Sequence, residues 1–336
     1  MKHSILYFLC FSFLFFFTCI FFSACHFLPG QKSSSSQNTS EPAAGTDKTG
    51  DEAGEGTVNS SKEGSGAPDS SGADSSDNHS QGQASTEYVD PSTLPNTMAS
   101  WWFKRNEEHR TPEVQNEIDL TKYDAWYAKL NLKEGEKPVF LTFDCGYENG
   151  YTPGILDVLK KHKAAAAFFV CKHFIEDQPA LIKRMKEEGH VVGNHTANHI
   201  CMPESDERTI REEIANNANY MKEATGYEMD PFFRPPKGEY SERTLQITRE
   251  MGYTTVFWSL AYPDYDVNNQ PGADYVIERF EKYIHPGAIP LIHNISESNA
   301  QALDTVLTNL EKEGYTFRSL YDLSSTGDAR VRRDSL

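Results

Sequence analysis

The stretch VFLTFDCGYENGYT, residues Val139 to Thr152, decides the fold of this 336-residue chain. Four apolar residues and a threonine lead into Asp144 and Cys145, and glycines follow. This pattern predicts a buried β-strand that ends in a turn. A carboxylate and a thiol therefore stand at the end of a strand, and their role depends on which other side chains surround Asp144.

Short apolar runs recur along the chain, and amphipathic segments separate most of them. The apolar runs are Val139–Phe143, Ala166–Val170, His190–Gly193, Phe232–Phe233, Thr254–Trp258, Ala288–Ile292 and Thr316–Leu320. The amphipathic segments are Ile155–His162, Ala180–Glu188, Glu207–Thr225, Glu242–Met251, Ala273–Ile284 and Ala300–Glu313. Helix stop signals are provided by Gly189, Gly226, Gly252 and Gly314. The alternation predicts an α/β fold with parallel strands. A distorted (β/α) barrel of about seven strands is favoured, and an open doubly wound sheet is the alternative.

Polar residues of catalytic type follow the predicted strands at their carboxyl ends. These residues are Asp144, His195, His199, Arg234, Asp264 and His293. Each has an ordinary structural explanation when it is taken alone, such as a surface histidine or a turn-forming aspartate. In a parallel β/α barrel, however, the carboxyl ends of the strands share one face, where active sites are built. Their joint placement therefore predicts a functional site.

The sequence HTANH, His195 to His199, places two imidazoles four residues apart. On one side of a helical turn this spacing is typical of a metal site, and neutral imidazole suits zinc or a similar divalent ion. Asp144 is then placed to take a proton from water, and His293 to donate one to a leaving amine. Arg234 would keep Asp144 ionised and oriented. The set predicts metal-assisted hydrolysis of an amide.

Five motifs resemble a known family when they are taken in order and spacing. TFDCGYENG, HTANH, RPPKG, WSLAYPDY and LIH are similar to the motifs of the polysaccharide deacetylases, also called NodB-homology or carbohydrate esterase family 4 enzymes. The resemblance covers residues 137–323. In more detail, FDCGYENGYT, FFRPPKGEYSERTL and HPGAI resemble the branch that deacetylates N-acetylmuramic acid, a step toward muramic δ-lactam in spore cortex peptidoglycan. The upstream WWFKRNEEHRTP resembles the N-terminal extension of that branch.

The resemblance implies a role for each matching residue. It implies that Asp144 is the general base and that His293 is the general acid. Arg234 would pair with the base, and Asp264 would tune the acid. A divalent metal, expected to be zinc, would be bound by His195 and His199, and the partner would be a peptidoglycan glycan strand. Substrate contacts are implied for Tyr147, Pro235, Pro236, Lys237, Trp258 and Tyr265.

Three positions depart from the family pattern. Cys145 stands where most members have a second aspartate as a metal ligand. Lys237 replaces a frequent tyrosine whose backbone amide helps to hold the oxyanion, a donor that survives the change because it belongs to the main chain. Tyr265 replaces a frequent tryptophan and keeps an aromatic wall for a sugar ring.

Three interpretations of Cys145 remain open. Its thiolate would complete a Cys-His-His zinc site. Alternatively, Cys145 and Cys171 would form a disulfide between neighbouring strands of an exported protein. In the third interpretation, Cys145 is a small residue that fills space, and the two histidines and solvent alone hold the metal.

The N-terminus predicts export. An uncharged apolar run from Ile5 to Phe22 follows Lys2 and His3, as in a signal segment. Ser23-Ala24-Cys25 resembles a bacterial lipobox, in which Cys25 would be lipidated, and an uncleaved anchor helix is the alternative. Either outcome places the protein outside the cytoplasm, attached to the membrane.

Composition divides the rest of the chain. Residues 1–25 form the predicted signal, and residues 26–86 a disordered Ser/Gly/acidic linker, because this stretch lacks the apolar bulk to form a core. Between residues 31 and 86, nine acidic residues and three lysines give −6 of the formal −17 net charge, so much of the acidity solvates the linker. Residues 87–136 are an extension packed on the catalytic domain of 137–323, and 324–336 are a C-terminal tail.

The charge pattern gives no indication of a nucleic-acid partner, and we expect a monomer. Two alternative functions remain. One is a deacetylase of N-acetylglucosamine in peptidoglycan or chitin-like oligomers. The other, of a different class, is a membrane-tethered glycan-binding protein without catalytic activity. The joint presence of base, acid, arginine and both histidines favours an enzyme, since glycan binding alone does not require them.

Overall fold

The computed structural model of the chain describes residues 89–114 and 117–323. The predicted export signal with Cys25, the linker of residues 26–86 and the C-terminal tail of residues 324–336 lie outside the described residues. Within the described part, every helix is too short or too polar to cross a bilayer.

Strands and helices alternate through residues 138–317. The strands are β1 (Ala99–Ser100), β2 (Phe103–Lys104), β3 (Glu113–Val114), β4 (Ala125–Trp126), β5 (Pro138–Val139), β6 (Leu141–Cys145), β7 (Ala166–Val170), β8 (Val191–Asn194), β9 (Phe232–Phe233), β10 (Glu239–Tyr240), β11 (Thr254–Val256), β12 (Leu291–His293) and β13 (Thr316–Phe317). The α-helices are α1 (Thr152–Lys161), α2 (Lys172–Asp177), α3 (Pro179–Glu187), α4 (Glu207–Thr225), α5 (Glu242–Glu250), α6 (Ala273–Tyr283) and α7 (Glu297–Lys312).

A seven-stranded sheet forms the centre of the domain. Its strand order is β12-β6-β7-β8-β9-β11-β4, and every pair in it is parallel. The sheet curls into an incomplete barrel, and a parallel bridge between Leu260 and Pro290 connects the segment after β11 with the start of β12. The predicted α/β fold with a distorted barrel of about seven parallel strands is therefore confirmed.

The seventh strand differs from the predicted one. The predicted run Thr316–Leu320 supplies only β13, which pairs with β5 in a separate two-stranded sheet. The seventh position in the main sheet belongs to β4, from the extension, which pairs with β11. Thr316 is exposed and Phe317 only half-buried, so this run lacks the burial of a central strand.

Helix positions agree closely with the periodicity. Helix α4 spans the predicted residues, and the Asp206 side chain accepts a hydrogen bond from the Thr209 amide at its start. Gly226 ends the helix at φ 81°, a left-handed conformation that glycine adopts without steric cost. Helix α2 was not predicted, because six residues directly after a strand give too short a pattern.

Side chains alternate between the two faces of β6. Leu141, Phe143 and Cys145 belong to the buried cluster that packs the sheet against α1, α3 and α7. Thr142 and Asp144 instead contact Arg234 on the opposite face. This alternation places Asp144 inside the curled sheet and Cys145 outside it.

Candidate active site

The Arg234 guanidinium holds Asp144 from inside the sheet. Arg234 is fully buried, and its Nη1 donates to Asp144 Oδ1 at 2.7 Å. Its Nε and Nη2 donate to the Val256 carbonyl and to Thr142 Oγ1, at 3.0 and 2.8 Å. Burial alone would raise the pKa of Asp144, but the charge and hydrogen bond of Arg234 together with the nearby His195 and His293 outweigh it, and the pKa lies below its usual value. Asp144 is therefore ionised and fixed in orientation.

His195 and His199 approach each other in an irregular loop after β8. Their ring centroids lie 4.9 Å apart at an angle of 71°. The predicted helical turn is wrong, because Thr196 and His199 take positive φ values of 62° and 54° and the segment does not form a helix. The loop brings the imidazoles together by left-handed backbone turns instead.

Hydrogen bonding determines the tautomer of His195. Its Nδ1 lies 2.7 Å from the Arg234 carbonyl oxygen, which can only accept, so Nδ1 carries the proton. Burial lowers the pKa of His195 to about 4, so the ring is neutral and Nε2 presents a lone pair. This Nε2 lies 3.5 Å from Asp144 Oδ2. Burial also lowers the pKa of His199.

His293 is held by a second carboxylate. In the sheet it lies directly beside Asp144, because β12 and β6 pair in that register. Its Nδ1 donates to Asp264 Oδ1 at 2.7 Å, and its backbone amide donates to Asp264 Oδ2 at 2.8 Å. Burial alone would lower the pKa of His293, but Asp264 outweighs it and raises the pKa. The ring is therefore a proton donor poised beside the ionised Asp144.

A cavity of about 980 Å³ opens over these groups. The predicted residues that line it are Asp144, Tyr147, His195, His199, Lys237, Trp258, Tyr265 and His293. Arg234 and Asp264 are buried behind it, at 0 and 1% exposure. Pro235 and Pro236 are also buried, and they precede Lys237, whose φ is 57°. Because proline has no amide hydrogen, Lys237 supplies the next backbone donor after the two prolines.

The structure contradicts the disulfide interpretation of Cys145, and its packing favours the space-filling interpretation over the zinc ligand. The thiol is fully buried in the cluster between the sheet and the helices, on the opposite face from Asp144, and does not reach the imidazoles. Burial and the Asp144 charge raise the pKa of Cys145 well above its usual value, so the thiol stays protonated. Cys145 and Cys171 are both free rather than disulfide-bonded. The residue fills space in the core.

The remaining donors fit a cation held by two imidazoles. Among residues 89–114 and 117–323, no group of three His, Cys, Asp or Glu side chains is arranged around a metal position. His195 and His199 nevertheless face one cavity as neutral rings, and the His195 lone pair faces a carboxylate oxygen. Two acceptors in that position repel each other unless a cation lies nearby. The donor set therefore suits a divalent ion whose other positions are filled by solvent.

Two asparagines support the site and were not predicted. Asn299 Nδ2 donates to Asp264 Oδ2 at 2.6 Å and fixes the carboxylate behind His293. Asn294 Nδ2 donates to the Tyr147 carbonyl at 2.9 Å and ties that loop to β12. Asn299 comes three residues after Ser296, the N-cap of α7, so the sequence indicated a helix start but not a contact with Asp264.

Comparisons with known proteins agree with this geometry. Residues 131–256 match the family model described as polysaccharide deacetylase. Peptidoglycan-N-acetylmuramic acid deacetylase PdaA of Bacillus subtilis is 45% identical over 240 residues, which cover 71% of this chain and 90% of that protein. A peptidoglycan-N-acetylglucosamine deacetylase of Bacillus cereus is 32% identical over 214 residues, which cover 62% of this chain and 97% of that protein.

A solved structure shows the same fold. Bacillus subtilis PdaA, described as a family 4 carbohydrate esterase, matches with a TM-score of 0.65 and 45% identity, covering 68% of this chain and 98% of that one. The match in fold and sequence spans nearly the whole of this relative. The chain therefore belongs to the polysaccharide deacetylase family.

Proposed function

We propose that this enzyme hydrolyses the N-acetyl group of N-acetylmuramic acid in peptidoglycan, releasing acetate and leaving a free amine on the sugar. The observation that carries the reaction is the placement of an ionised Asp144 beside a protonatable His293, on paired positions of adjacent strands in one cavity. One group accepts a proton and the other donates one, as hydrolysis of an amide requires.

Asp144 acts as the general base. It removes a proton from the water molecule that attacks the acetyl carbonyl carbon. Arg234 keeps the carboxylate ionised and aims it into the cavity through the 2.7 Å hydrogen bond. The Lys237 amide would donate to the oxyanion that forms on the substrate.

His293 acts as the general acid. The C–N bond breaks when the sugar nitrogen receives a proton from His293 Nε2, since Nδ1 is engaged with Asp264. Asp264 raises the pKa of His293 and so keeps the imidazole protonated before this step. The proton taken by Asp144 and the one given by His293 balance the reaction.

Deacetylases of this family are metal-dependent. In this chain His195 and His199 would hold the ion, and zinc is proposed because both donors are neutral imidazoles. When bound, a divalent ion polarises the acetyl carbonyl and makes water more acidic.

The relative named for N-acetylmuramic acid supports that substrate, because it shares 45% of residues over 90% of its length. The cavity adds a chemical reason. Lys237 lines it with an exposed side chain, and an ammonium group there suits the lactyl carboxylate of a muramic residue without peptide. We propose glycan strands without peptide as substrate, on the route to muramic δ-lactam in spore cortex.

Export and membrane attachment are also proposed. They are supported by the apolar run of residues 5–22 and the lipobox-like Ser23-Ala24-Cys25. Mass analysis of the mature protein tests them: a lipid on Cys25 supports the proposal, and an unmodified Cys25 favours the anchor helix.

The substrate is tested by incubating the full chain with peptide-free glycan strands, intact peptidoglycan and chitin oligomers, and by identifying the products by mass spectrometry. Loss of acetyl from muramic residues of peptide-free strands is expected. Activity confined to chitin oligomers or to N-acetylglucosamine residues would instead support the glucosamine alternative, which the Bacillus cereus relative represents. His195→Ala serves as the control, because it should lose both metal and turnover.

A further inference from the structure

An exposed tryptophan lies in the N-terminal extension next to the active site. Three aromatic side chains are strongly exposed in the part of the chain that the structure describes, Trp102 at 53%, Tyr147 at 41% and Tyr265 at 64%. Tyr147 and Tyr265 line the catalytic cavity. Trp102 is the one of the three that the reaction does not explain. Aromatic residues such as tryptophan are enriched at binding interfaces relative to the rest of a protein surface.

The strand register brings the extension to the RPPKG loop, which borders the cavity. β1 pairs antiparallel with β10, with Ala99 opposite Tyr240 and Ser100 opposite Glu239. The same register continues, because the Trp101 amide donates to the Gly238 carbonyl at 2.8 Å. Gly238 directly follows Lys237, which lines the cavity, and Trp102 directly follows Trp101. The exposed ring therefore belongs to the residue next to the one that contacts the RPPKG loop.

Two contacts fix this part of the extension. Trp101, which is buried, donates from Nε1 to the Trp258 carbonyl at 2.8 Å. Arg105 donates from Nη2 to the Ala261 carbonyl at 2.9 Å, and its guanidinium lies 5.9 Å from the centre of the Trp102 ring. Both carbonyls belong to the segment that leads to Asp264 and Tyr265. The two contacts fix the extension against that segment, so the ring and the cation have a set position near the active site before a ligand arrives.

We propose that Trp102 and Arg105 form an outer subsite that binds a second sugar of the same glycan strand. This inference rests on the proposed function, since it takes the strand as the ligand. The face of an indole ring carries partial negative charge and packs against the C–H groups of a pyranose. The exposed Arg105 supplies donors for a hydroxyl or a carboxylate on that sugar.

A second contact on one polymer strengthens binding without changing the chemistry. Once one sugar occupies the cavity, the next part of the strand meets Trp102 at a high effective concentration. The gain therefore requires a strand long enough to reach both places. A short fragment that fills only the cavity gains nothing from Trp102.

The test compares Trp102→Ala with Leu130→Ala in the full chain. Leu130 is a matched control, because it has the same 53% exposure and lies in the same extension. Trp102→Ala should raise KM on long peptide-free strands on the order of tenfold with kcat unchanged. It should change kcat/KM on a single disaccharide less than twofold. Trp102→Tyr should recover most of the affinity, and Leu130→Ala should alter neither substrate.

Equilibrium binding of long strands to Asp144→Asn, with and without Trp102→Ala, separates this inference from the proposed function. If strands bind more weakly to the double variant but the wild-type protein releases no acetate from any substrate, the subsite stands and the proposed reaction fails. Equal binding by both variants overturns the subsite. A loss on disaccharides as large as on long strands also overturns it, since Trp102 would then support the cavity itself. Weaker binding to anionic lipid vesicles with unchanged strand binding would assign Trp102 to the membrane instead.

Discussion

Two carboxylate–cation pairs meet in one cavity, and they differ in the cation. Asp144 pairs with Arg234 at 2.7 Å, and Asp264 pairs with His293 at the same distance. In the first pair the cation is permanently charged and buried, and the carboxylate faces the cavity. In the second pair the carboxylate is buried, and the titratable cation faces the cavity. The same interaction thus makes a base in one place and an acid in the other.

The difference explains the opposite pKa shifts. Arg234 stays charged at all relevant pH values and lowers the pKa of Asp144. The carboxylate therefore keeps a free lone pair for a proton of the attacking water. Asp264 raises the pKa of His293 and so favours the protonated ring. In the proposed reaction, the member of each pair that faces the cavity reacts, and its partner behind the cavity sets its charge.

Removing the base should have the largest effect. Asp144→Asn keeps the shape of the side chain but leaves no carboxylate to take the proton, so turnover should fall roughly a thousandfold or more. Metal content should hardly change, because the ligands that we propose for the ion are the two imidazoles. Acetate release and metal analysis of the purified protein measure both. Asp157→Asn, on the surface, is the control and should be silent. Metal lost together with activity would show that Asp144 is a ligand.

Removing the acid should cost less. His293→Ala should lower the rate on the order of a hundredfold with metal retained, because water can replace a general acid only poorly. Single-turnover acetate release measures the chemical step. Full activity in this variant would overturn the role of the second pair.

The Asp264 pair should control the alkaline limit of activity. His293 acts in its protonated form, so activity falls as pH rises through its pKa. Asp264→Asn removes the charge that raises this pKa, so the alkaline limb should move to lower pH. The rate near neutrality should fall about tenfold at most. An unchanged profile of kcat/KM against pH would mean that another group determines the alkaline limit of activity.

The same pair should affect stability with pH. Because the folded state raises the pKa of His293, its contribution is full below the unfolded pKa and is lost as pH rises through the folded pKa. Denaturant midpoints below the unfolded pKa and above the folded pKa report the loss of stability. Asp264→Asn, which lacks the interaction, serves for comparison.

The sequence predicted which residues gather, because parallel strands carry their polar ends to one face. Asp144, His293 and Arg234 were found together for this reason. What the sequence could not supply was local geometry. Two left-handed residues, Thr196 and His199, replace the expected helical turn. No periodic pattern indicates a single residue with positive φ.

The direction of a side chain was the second feature that the sequence could not supply. The motif set Cys145 beside Asp144, and adjacency in sequence suggested a common site. In a strand, neighbours point to opposite faces, so the residue next to a catalytic group is often in the core. The short strand β4 was missed for a different reason, because two residues give no detectable alternation, and only its pairing with β11 reveals it.

A third buried ion pair lies outside the cavity. It should stabilise the fold without affecting activity. Lys186 Nζ lies 2.6 Å from Asp230 Oδ2, with side chains 9 and 3% exposed. Lys186→Met should destabilise the fold on the order of 3 kcal/mol, because it leaves a buried carboxylate with fewer donors. Activity at a temperature where the variant is folded should be unchanged. Chemical denaturation and acetate release check this, and a loss of activity without a loss of stability would contradict it.

The smallest effect is expected at Cys145, the neighbour of the base on the other face of β6. Cys145→Ser puts a hydroxyl into the apolar cluster, so it should destabilise by about 1 kcal/mol. Cys145→Ala should cost a similar amount through lost packing. Neither variant should change zinc content or the rate, since the thiol faces away from the imidazoles and stays protonated. Thiol titration of unfolded and native protein, with and without chelator, completes the test. A thiol that becomes reactive in the native protein only after zinc is removed would show that Cys145 binds the ion, and it would place the base and its neighbour in the same site after all.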